Sequence, residues 1–193
     1  MLQQDSFWPT TLYFKDFDQP DDFNKDLEEK IIAWSKRDPG IAKTNRNGWH
    51  SKTDMQDMPE FAELTRRLYE MQYEIYQTEG LAGEPFLGNM WANINYPGAR
   101  NAIHIHPNCL WSGCYYVNAP ENSGNIYFED PRTPSLMTMP RRTHELPLNQ
   151  RRHIESQPQA GRVIMFPAWL NHGVRDNESG ETRISVAFNF IQR

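Results

Sequence analysis

The chain has 193 residues and a formal net charge of −5 at pH 7. Its length suits one domain with a hydrophobic core of its own, and its acidic charge argues against a nucleic-acid-binding surface, because phosphate contacts require clustered Lys and Arg. No segment approaches the roughly 18 apolar residues that a membrane helix needs, and the first residues lack the layout of a signal peptide. We therefore expect a cytoplasmic protein that binds neither nucleic acid nor membrane. Two cysteines are compatible with a reducing compartment, and a bridge between Cys109 and Cys114 stays open.

Two amphipathic helices are predicted in the N-terminal part of the chain. In residues 21–36, apolar side chains recur at helical spacing between charged ones. In residues 59–78 a second apolar stripe follows Pro59, which suits the first turn of a helix, and Gly80 suits its end. We interpret residues 1–87 as a helical region that supports the rest of the fold.

From residue 88 onward, short runs of β-branched and aromatic residues alternate with clusters of Pro, Gly and Asn. This rhythm is typical of an all-β sandwich or barrel. The predicted strands are residues 90–96, 103–106, 114–117, 125–129, 162–166 and 184–191. Residues 131–158 are predicted to form a loop, and loops of this length in a compact domain are usually functional, often as lids. The sequence thus predicts one domain, residues 1–193, whose β-rich core is residues 88–193.

Two of the six histidines, His104 and His106, are separated by one residue within a predicted strand. Side chains two positions apart on a strand point to the same side, so both imidazoles can face one cavity. Imidazole is a ligand that suits Fe, Zn, Cu and Ni. His172 follows the apolar run at residues 163–166 and precedes the last predicted strand, so it can supply a third ligand from a strand edge. The alternative for each histidine is a hydrogen-bonded structural role.

The order of the motifs around these histidines resembles that of the Fe(II)/2-oxoglutarate-dependent dioxygenases. More narrowly, it resembles a group of uncharacterised 2-oxoglutarate oxygenases. The shared motifs are His-Ile-His-Pro at 104–107, Ser-Gly-Cys-Tyr-Tyr at 112–116, Phe-Glu-Asp-Pro-Arg at 128–132 and Arg-Ile-Ser-Val-Ala-Phe-Asn at 183–189. The resemblance covers residues 89–190. It implies a mainly β protein with N-terminal helices and a double-stranded β-helix, which is the jelly-roll or cupin-like fold.

The resemblance further implies that His104, His106 and His172 hold one Fe(II) ion. In the superfamily the second ligand is usually Asp or Glu, so His106 departs from the pattern. Three histidines add no charge to the metal, and the ion then favours an anionic co-ligand such as 2-oxoglutarate. A second alignment makes His106 the first ligand and Asn108 the second.

Arg183 and Ser185 lie two positions apart on the predicted final strand and face the same side. A guanidinium group can donate two parallel hydrogen bonds to a carboxylate. By resemblance these two residues bind the distal carboxylate of 2-oxoglutarate. The alternative is an ion pair of Arg183 with Glu178 or Glu181.

Two further residues are candidates for the same pocket. Tyr116 alternates with Tyr115 on a predicted strand, so one of the two phenols faces inward. Tyr116 is the candidate donor to the carboxylate of 2-oxoglutarate, and Asn93 is a candidate polar group in the pocket wall. Core packing is the alternative for both residues.

By resemblance, we expect an oxygenase that uses Fe(II), O2 and 2-oxoglutarate. It is expected to hydroxylate a small-molecule or peptide substrate while 2-oxoglutarate is decarboxylated to succinate. One alternative is a cupin-like enzyme with three histidine ligands that does not use 2-oxoglutarate. Another is a non-catalytic jelly-roll binding protein. The sequence identifies neither the substrate nor the oligomeric state.

Overall fold

Two long helices form where the apolar stripes predict them. The computed structural model describes residues 3, 5, 7–18, 20–132, 134, 137–138 and 140–192. Helix α1 spans Pro20–Ser35 and helix α2 spans Ala62–Glu79. Two short 3-10 helices, Met55–Asp57 and Pro59–Phe61, precede α2, so Pro59 begins a 3-10 turn and not α2 itself. Gly80 ends α2 in the left-handed conformation, and its N–H donates to the carbonyl of Tyr76. None of the helices formed by the described residues is long and apolar enough to cross a membrane.

The strands of the described residues form one antiparallel sheet. They are β1 (Tyr13–Asp16), β2 (Asn45–His50), β3 (Pro85–His104), β4 (Trp111–Asn118), β5 (Ile126–Glu129), β6 (His153–Ser156), β7 (Arg162–Pro167), β8 (His172–Val174) and β9 (Arg183–Gln192). The hydrogen-bonded order is β1-β7-β4-β9-β3-β8-β5-β6, and β2 also pairs with β3. Each predicted strand is present at least in part. Strand β3 contains two of them in one continuous element, but it ends at His104, so the predicted strand 103–106 stops two residues early and His106 lies outside it.

The long strand β3 is what curls the sheet. Its first part, as far as Asn95, pairs with β9, and its last part pairs with β8 through Asn101 and His104. Between these parts Gly98 has a φ of 77°, a left-handed conformation that glycine adopts without steric cost. The Gly98 N–H donates to the carbonyl of Asn177, which fixes the bend. The strand therefore changes partner without leaving the sheet, and the sheet folds into the two layers of the predicted jelly roll.

Strand β9 shows how the two faces of the sheet are used. The even-numbered residues from Ile184 to Phe190 are apolar and join a core shared with α1 and α2. This core includes Leu27, Ile31, Leu64, Leu68, Val186, Phe188 and Phe190. Burial of each such side chain contributes about 1.5–3 kcal/mol of transfer free energy. Arg183, Ser185 and Ala187 alternate with them and line the cavity inside the curled sheet. The two-residue period of the strand thus separates the core from the candidate site.

Four strands were not expected from the sequence: β1, β2, β6 and β8. Strand β2 reads Asn-Arg-Asn-Gly-Trp-His and lacks the alternation of apolar and polar residues that marks a half-buried strand. Strand β8 has three residues, too few for a periodic pattern. Strand β6 lies inside the segment predicted as a loop. Each of these strands forms because its partner supplies hydrogen bonds, which a local sequence pattern does not record.

Candidate metal centre

The structure brings His104, His106 and His172 together. His104 is the last residue of β3, and His172 is the first residue of β8, directly opposite it in the strand register. His106 lies two residues beyond the end of β3. One ligand atom from each side chain lies within 4.8 Å of the others. The three imidazoles therefore form a cluster that can bind one metal ion.

Backbone hydrogen bonds orient two of the three rings. The Nδ1 atoms of His104 and His172 each lie 2.8 Å from a carbonyl oxygen, those of Ala102 and Leu170. A carbonyl only accepts, so Nδ1 carries the proton and the Nε2 lone pair is left for a metal. The Nε2 atoms of His106 and His172 are 3.2 Å apart. Two imidazole nitrogens at about 2.1 Å from one ion and at right angles to each other would be about 3 Å apart. The geometry therefore fits a shared metal ion.

Burial keeps the three rings neutral. It lowers the pKa of His172 to about 3, with a further contribution from the neighbouring His104. Burial also lowers the pKa of His106 to about 4, again with a contribution from His104, and it lowers the pKa of His104 itself. Neutral imidazole is the form that ligates a metal. The cluster is thus in its metal-binding protonation state at neutral pH.

A cavity of about 60 Å³ connects the histidine cluster with the residues predicted to bind 2-oxoglutarate. Its lining includes the three histidines together with Asn93, Tyr116, Arg183 and Ser185. Ser185 on β9 pairs with Asn93 on β3 and with Tyr116 on β4, and directly paired residues point to the same face of a sheet. The register of these three strands therefore collects the polar side chains on one wall.

Arg183 is a buried cation whose hydrogen-bonding capacity is only partly used. Its side chain is 2% exposed. Nη1 donates to the carbonyls of Ser123 and Gly124, and Nε has no partner. No ion pair joins Arg183 to a carboxylate of the described residues, so the alternative pairing with Glu178 or Glu181 is absent from the structure. Burial lowers the pKa of Arg183, but a guanidinium stays charged in proteins. A buried cation without a counter-ion suits an anionic ligand.

The other polar groups of the cavity differ in whether they have hydrogen-bond partners. Tyr116 faces the cavity, while Tyr115 faces α1 and donates to Asn24. The Oδ1 atom of Asn93 is buried and has no hydrogen-bond partner. Cys114 also lines the cavity and is a free thiol, as is Cys109. Burial raises the pKa of Cys114 to about 11, so this thiol is not poised as a nucleophile.

The alternative ligand Asn108 and the nearby carboxylate of Asp130 both lie outside the cavity. Asn108 is an exposed turn residue with a φ of 65° and does not line the cavity. Asp130 accepts two hydrogen bonds from the guanidinium group of Arg132. Among the described residues, no Asp or Glu lines the cavity. The ligands that the cavity offers to a metal are therefore the three histidines.

Two aromatic residues beside the cluster were not recognised from the sequence. Trp91 is half-buried in the cavity wall, and His50 is buried against it with parallel rings. The signal that would have placed His50 is the pairing of β2 with β3, which sets His50 opposite Asn93. Because β2 was not predicted, His50 could not be placed near the histidine cluster from the sequence.

The segment predicted as a loop, residues 131–158, contains a 3-10 helix at Leu148–Gln150 and strand β6. Residues 133, 135, 136 and 139 of this segment lie outside the described residues. Together with residues 7–10 and 12, the loop borders a second cavity of about 390 Å³, which none of the three clustered histidines lines. His144 is exposed in the loop, and His153 on β6 pairs with Glu155. The lid function stays a prediction.

Comparison with known proteins identifies the family. Residues 89–189, more than half of the chain, match the family described as "putative 2OG-Fe(II) oxygenase". The chain belongs to this family. Members of this oxygenase family use Fe(II) and 2-oxoglutarate, which confirms the cofactors that the resemblance implied. No curated protein shows a significant sequence match to the chain.

Solved structures show the same fold as this oxygenase. A prolyl-4-hydroxylase from Pseudomonas putida has a TM-score of 0.69 at 16% identity, covering 95% of this chain and 94% of that one. A viral collagen prolyl hydroxylase from Paramecium bursaria Chlorella virus-1, in complex with 2-oxoglutarate, has a TM-score of 0.61 at 16% identity, covering 93% and 94%. HygX from Streptomyces hygroscopicus, with nickel and 2-oxoglutarate bound, has a TM-score of 0.61 at 11% identity, covering 95% and 84%. At these identities the likeness establishes the jelly-roll fold.

Gly173, which follows His172 on β8, packs tightly against Tyr127 and so helps to hold His172 in place. A Cβ atom added to Gly173 would lie 2.5 Å from the hydroxyl oxygen of Tyr127 and 2.6 Å from its Cζ. The Tyr127 ring cannot shift freely, because His153 stacks on it and the Arg175 guanidinium lies 4.3 Å from its centroid. An alanine at 173 therefore has to displace this ring or β8.

We predict that Gly173→Ala lowers the free energy of unfolding by about 1–3 kcal/mol, the usual cost of overpacking. It should also weaken metal binding, because His172 is the adjacent residue of β8. Urea unfolding of the apoprotein and Co(II) titration measure the two effects. Gly180→Ala is the matched control, since nothing lies within 4 Å of its Cβ position. Equal stability of the two variants would contradict the packing argument.

Proposed function

We propose that this oxygenase hydroxylates an aliphatic C–H bond of a small-molecule or peptide substrate, with O2 as oxidant and with decarboxylation of 2-oxoglutarate to succinate. The observation that carries the proposal is a single cavity that joins three neutral histidines to a buried arginine for which the described residues supply no counter-ion. A metal ligand set at one end and an anion site at the other suit a ligand that has a chelating group and a distal carboxylate.

In this proposal His104, His106 and His172 hold Fe(II). The metal with 2-oxoglutarate supplies the oxidising chemistry, which side chains lack. The protein fixes the imidazoles by the carbonyls of Ala102 and Leu170 and keeps them unprotonated by burial. The role of His106 as second ligand is favoured over Asn108 because the His106 ring lies in the cluster and Asn108 is exposed.

Arg183 binds the distal carboxylate of 2-oxoglutarate in this proposal. Its Nε atom is unpartnered and its charge is uncompensated, so a carboxylate would satisfy both. Ser185 and Tyr116 line the same cavity and can donate their hydroxyl protons to that ligand. Asn93 lines the wall on the other side of Ser185 and presents its amide to the ligand or the substrate.

The charges in the cavity support an anionic cosubstrate. Three histidine ligands leave the full charge of +2 on the metal, and Arg183 adds +1. No carboxylate of the described residues lines the cavity to offset these charges. A dianion such as 2-oxoglutarate offsets most of them, which favours its binding in a poorly solvated site.

The solved structures with this fold point to hydroxylation and to two substrate classes. Three of them are prolyl hydroxylases, one in complex with a hypoxia-inducible-factor peptide fragment. Two others are an epimerase and a carbocyclase from nogalamycin biosynthesis. These proteins share no more than 16% identity with the chain, so they support a peptide or a small molecule without selecting one.

Anaerobic titration of the apoprotein with Fe(II) and then 2-oxoglutarate tests the proposal. We expect a visible metal-to-ligand charge-transfer band that appears only after 2-oxoglutarate is added, because the band requires chelation of the metal by the keto acid. A succinate assay with candidate peptides and small molecules then follows. Stoichiometric iron without the band would favour a cupin-like three-histidine enzyme. Absence of iron binding would favour a non-catalytic binding protein.

A further inference from the structure

The three histidine rings of the cluster are not held in the same way. His104 and His172 are each fixed through Nδ1 by a backbone carbonyl. The backbone of His106 is anchored, since its N–H donates to the carbonyl of Ala168. Its ring, however, forms one hydrogen bond within the described residues, and that bond is to His172 inside the cluster itself. Something other than a hydrogen bond to Nδ1 has to orient the His106 ring.

Trp91 is the aromatic residue outside the cluster that packs against the His106 ring. The two ring centroids are 5.9 Å apart, within the range of favourable aromatic contacts, and the planes are inclined by 35°. Trp91 lies on the first part of β3 and His106 beyond its end, so the bend in β3 brings them together. The indole therefore limits the rotation of the imidazole from one side.

Trp91 is in turn held by His50. The two rings are parallel within 7° and their centroids are 5.4 Å apart. His50 is 4% exposed, and its Nδ1 lies 2.6 Å from the carbonyl oxygen of Ser51. Ser51 is fixed to Ala92, the neighbour of Trp91, by its N–H and by its hydroxyl oxygen. The indole thus rests on a ring that the β2–β3 pairing holds in place.

We propose that Trp91, held by His50, is the positioning residue of His106, and that ring packing here replaces the Nδ1 hydrogen bond that orients the other two ligands. The inference rests on the proposed metal site and adds to it a residue outside the ligand set. Groups that orient a metal ligand contribute about 10- to 100-fold to metal affinity. Loss of the indole leaves the His106 ring free to rotate away from the metal.

A double-mutant cycle on Co(II) binding tests this, with affinity and visible absorption measured without 2-oxoglutarate. The variants are Trp91→Ala, Trp91→Phe, His106→Ala and the double variant Trp91→Ala/His106→Ala. We expect Trp91→Ala to weaken Co(II) binding about 10-fold or more and to change the intensity of the cobalt bands, which report coordination geometry. Trp91→Phe should recover part of the affinity. The double variant should bind no more weakly than His106→Ala, because Trp91 acts through His106.

Equal weakening by Trp91→Ala in both backgrounds would overturn the proposal, as would wild-type affinity in Trp91→Ala. If His106→Ala leaves Co(II) affinity unchanged, His106 is not a ligand and the inference fails with it. Trp8→Ala removes an 83% exposed indole and is the matched control. If Trp91→Ala does not fold, Trp91→Phe and Trp91→Phe/His106→Ala complete the cycle. The cobalt cycle is independent of 2-oxoglutarate, so a missing charge-transfer band with an intact cycle would overturn the proposed function and leave this inference standing.

Discussion

Replacing Arg183 with Met is expected to weaken 2-oxoglutarate binding by about 100-fold or more while Fe(II) binding stays at the wild-type level. Met keeps an unbranched side chain of similar length but removes the charge and all five N–H donors. The cavity holds no other cation among the described residues. Truncating one partner of a buried charge pair costs about 2–5 kcal/mol of binding free energy. A loss of about 3 kcal/mol, within this range, corresponds to a 100-fold increase in Kd.

The measurement for Arg183 is the same anaerobic titration, with 2-oxoglutarate varied at saturating Fe(II). Arg183→Lys should bind with intermediate affinity, because an ammonium keeps the charge but cannot donate two parallel hydrogen bonds. Arg100→Met is the matched control, since Arg100 is exposed and pairs with Asp176 outside the cavity. Wild-type affinity in Arg183→Met would show that the distal carboxylate binds elsewhere.

Replacing His106 with Ala is expected to lower Fe(II) affinity by more than about 100-fold, since loss of a ligand should exceed the 10- to 100-fold effect of losing a group that orients one. The His106 Nε2 lies 3.2 Å from the Nε2 of His172. Loss of the His106 imidazole therefore removes one of the three ligands of the proposed site. His106→Asp should retain Fe(II), because it places at this position the carboxylate that the superfamily usually has.

Fe(II) affinity can be measured by anaerobic competition with a coloured chelator. His144→Ala provides the control, because His144 is exposed in the loop and has no contact with the cluster. The outcome that contradicts the prediction is unchanged affinity in His106→Ala. In that case Asn108→Ala should lower the affinity instead, as the second alignment of the sequence requires.

Much of the fold and part of the site follow from the sequence alone. The apolar stripes of residues 21–36 and 59–78 define α1 and α2 to within a few residues, because a surface helix has to bury one stripe. The strands with β-branched and aromatic residues were predicted correctly because such runs, bounded by turn residues, pack well on the surface of a sheet. The His104-Ile105-His106 spacing predicted two imidazoles on one side of a strand, and both rings reach the cluster although β3 ends at His104. The order of motifs pointed to the oxygenase family that the match at residues 89–189 establishes.

Only the tertiary structure decided how the three predicted histidines meet and which side chains surround them. His172 meets His104 because β8 pairs with the end of β3, and a three-residue strand leaves no periodic pattern. Among the described residues Arg183 has no carboxylate partner and donates instead to the carbonyls of Ser123 and Gly124, which its neighbours in sequence do not reveal. His50 joins the site through the pairing of β2 with β3, and Trp91 through the bend in β3. A local pattern records the burial of one face of an element, whereas pairing between distant segments determines which side chains share a cavity.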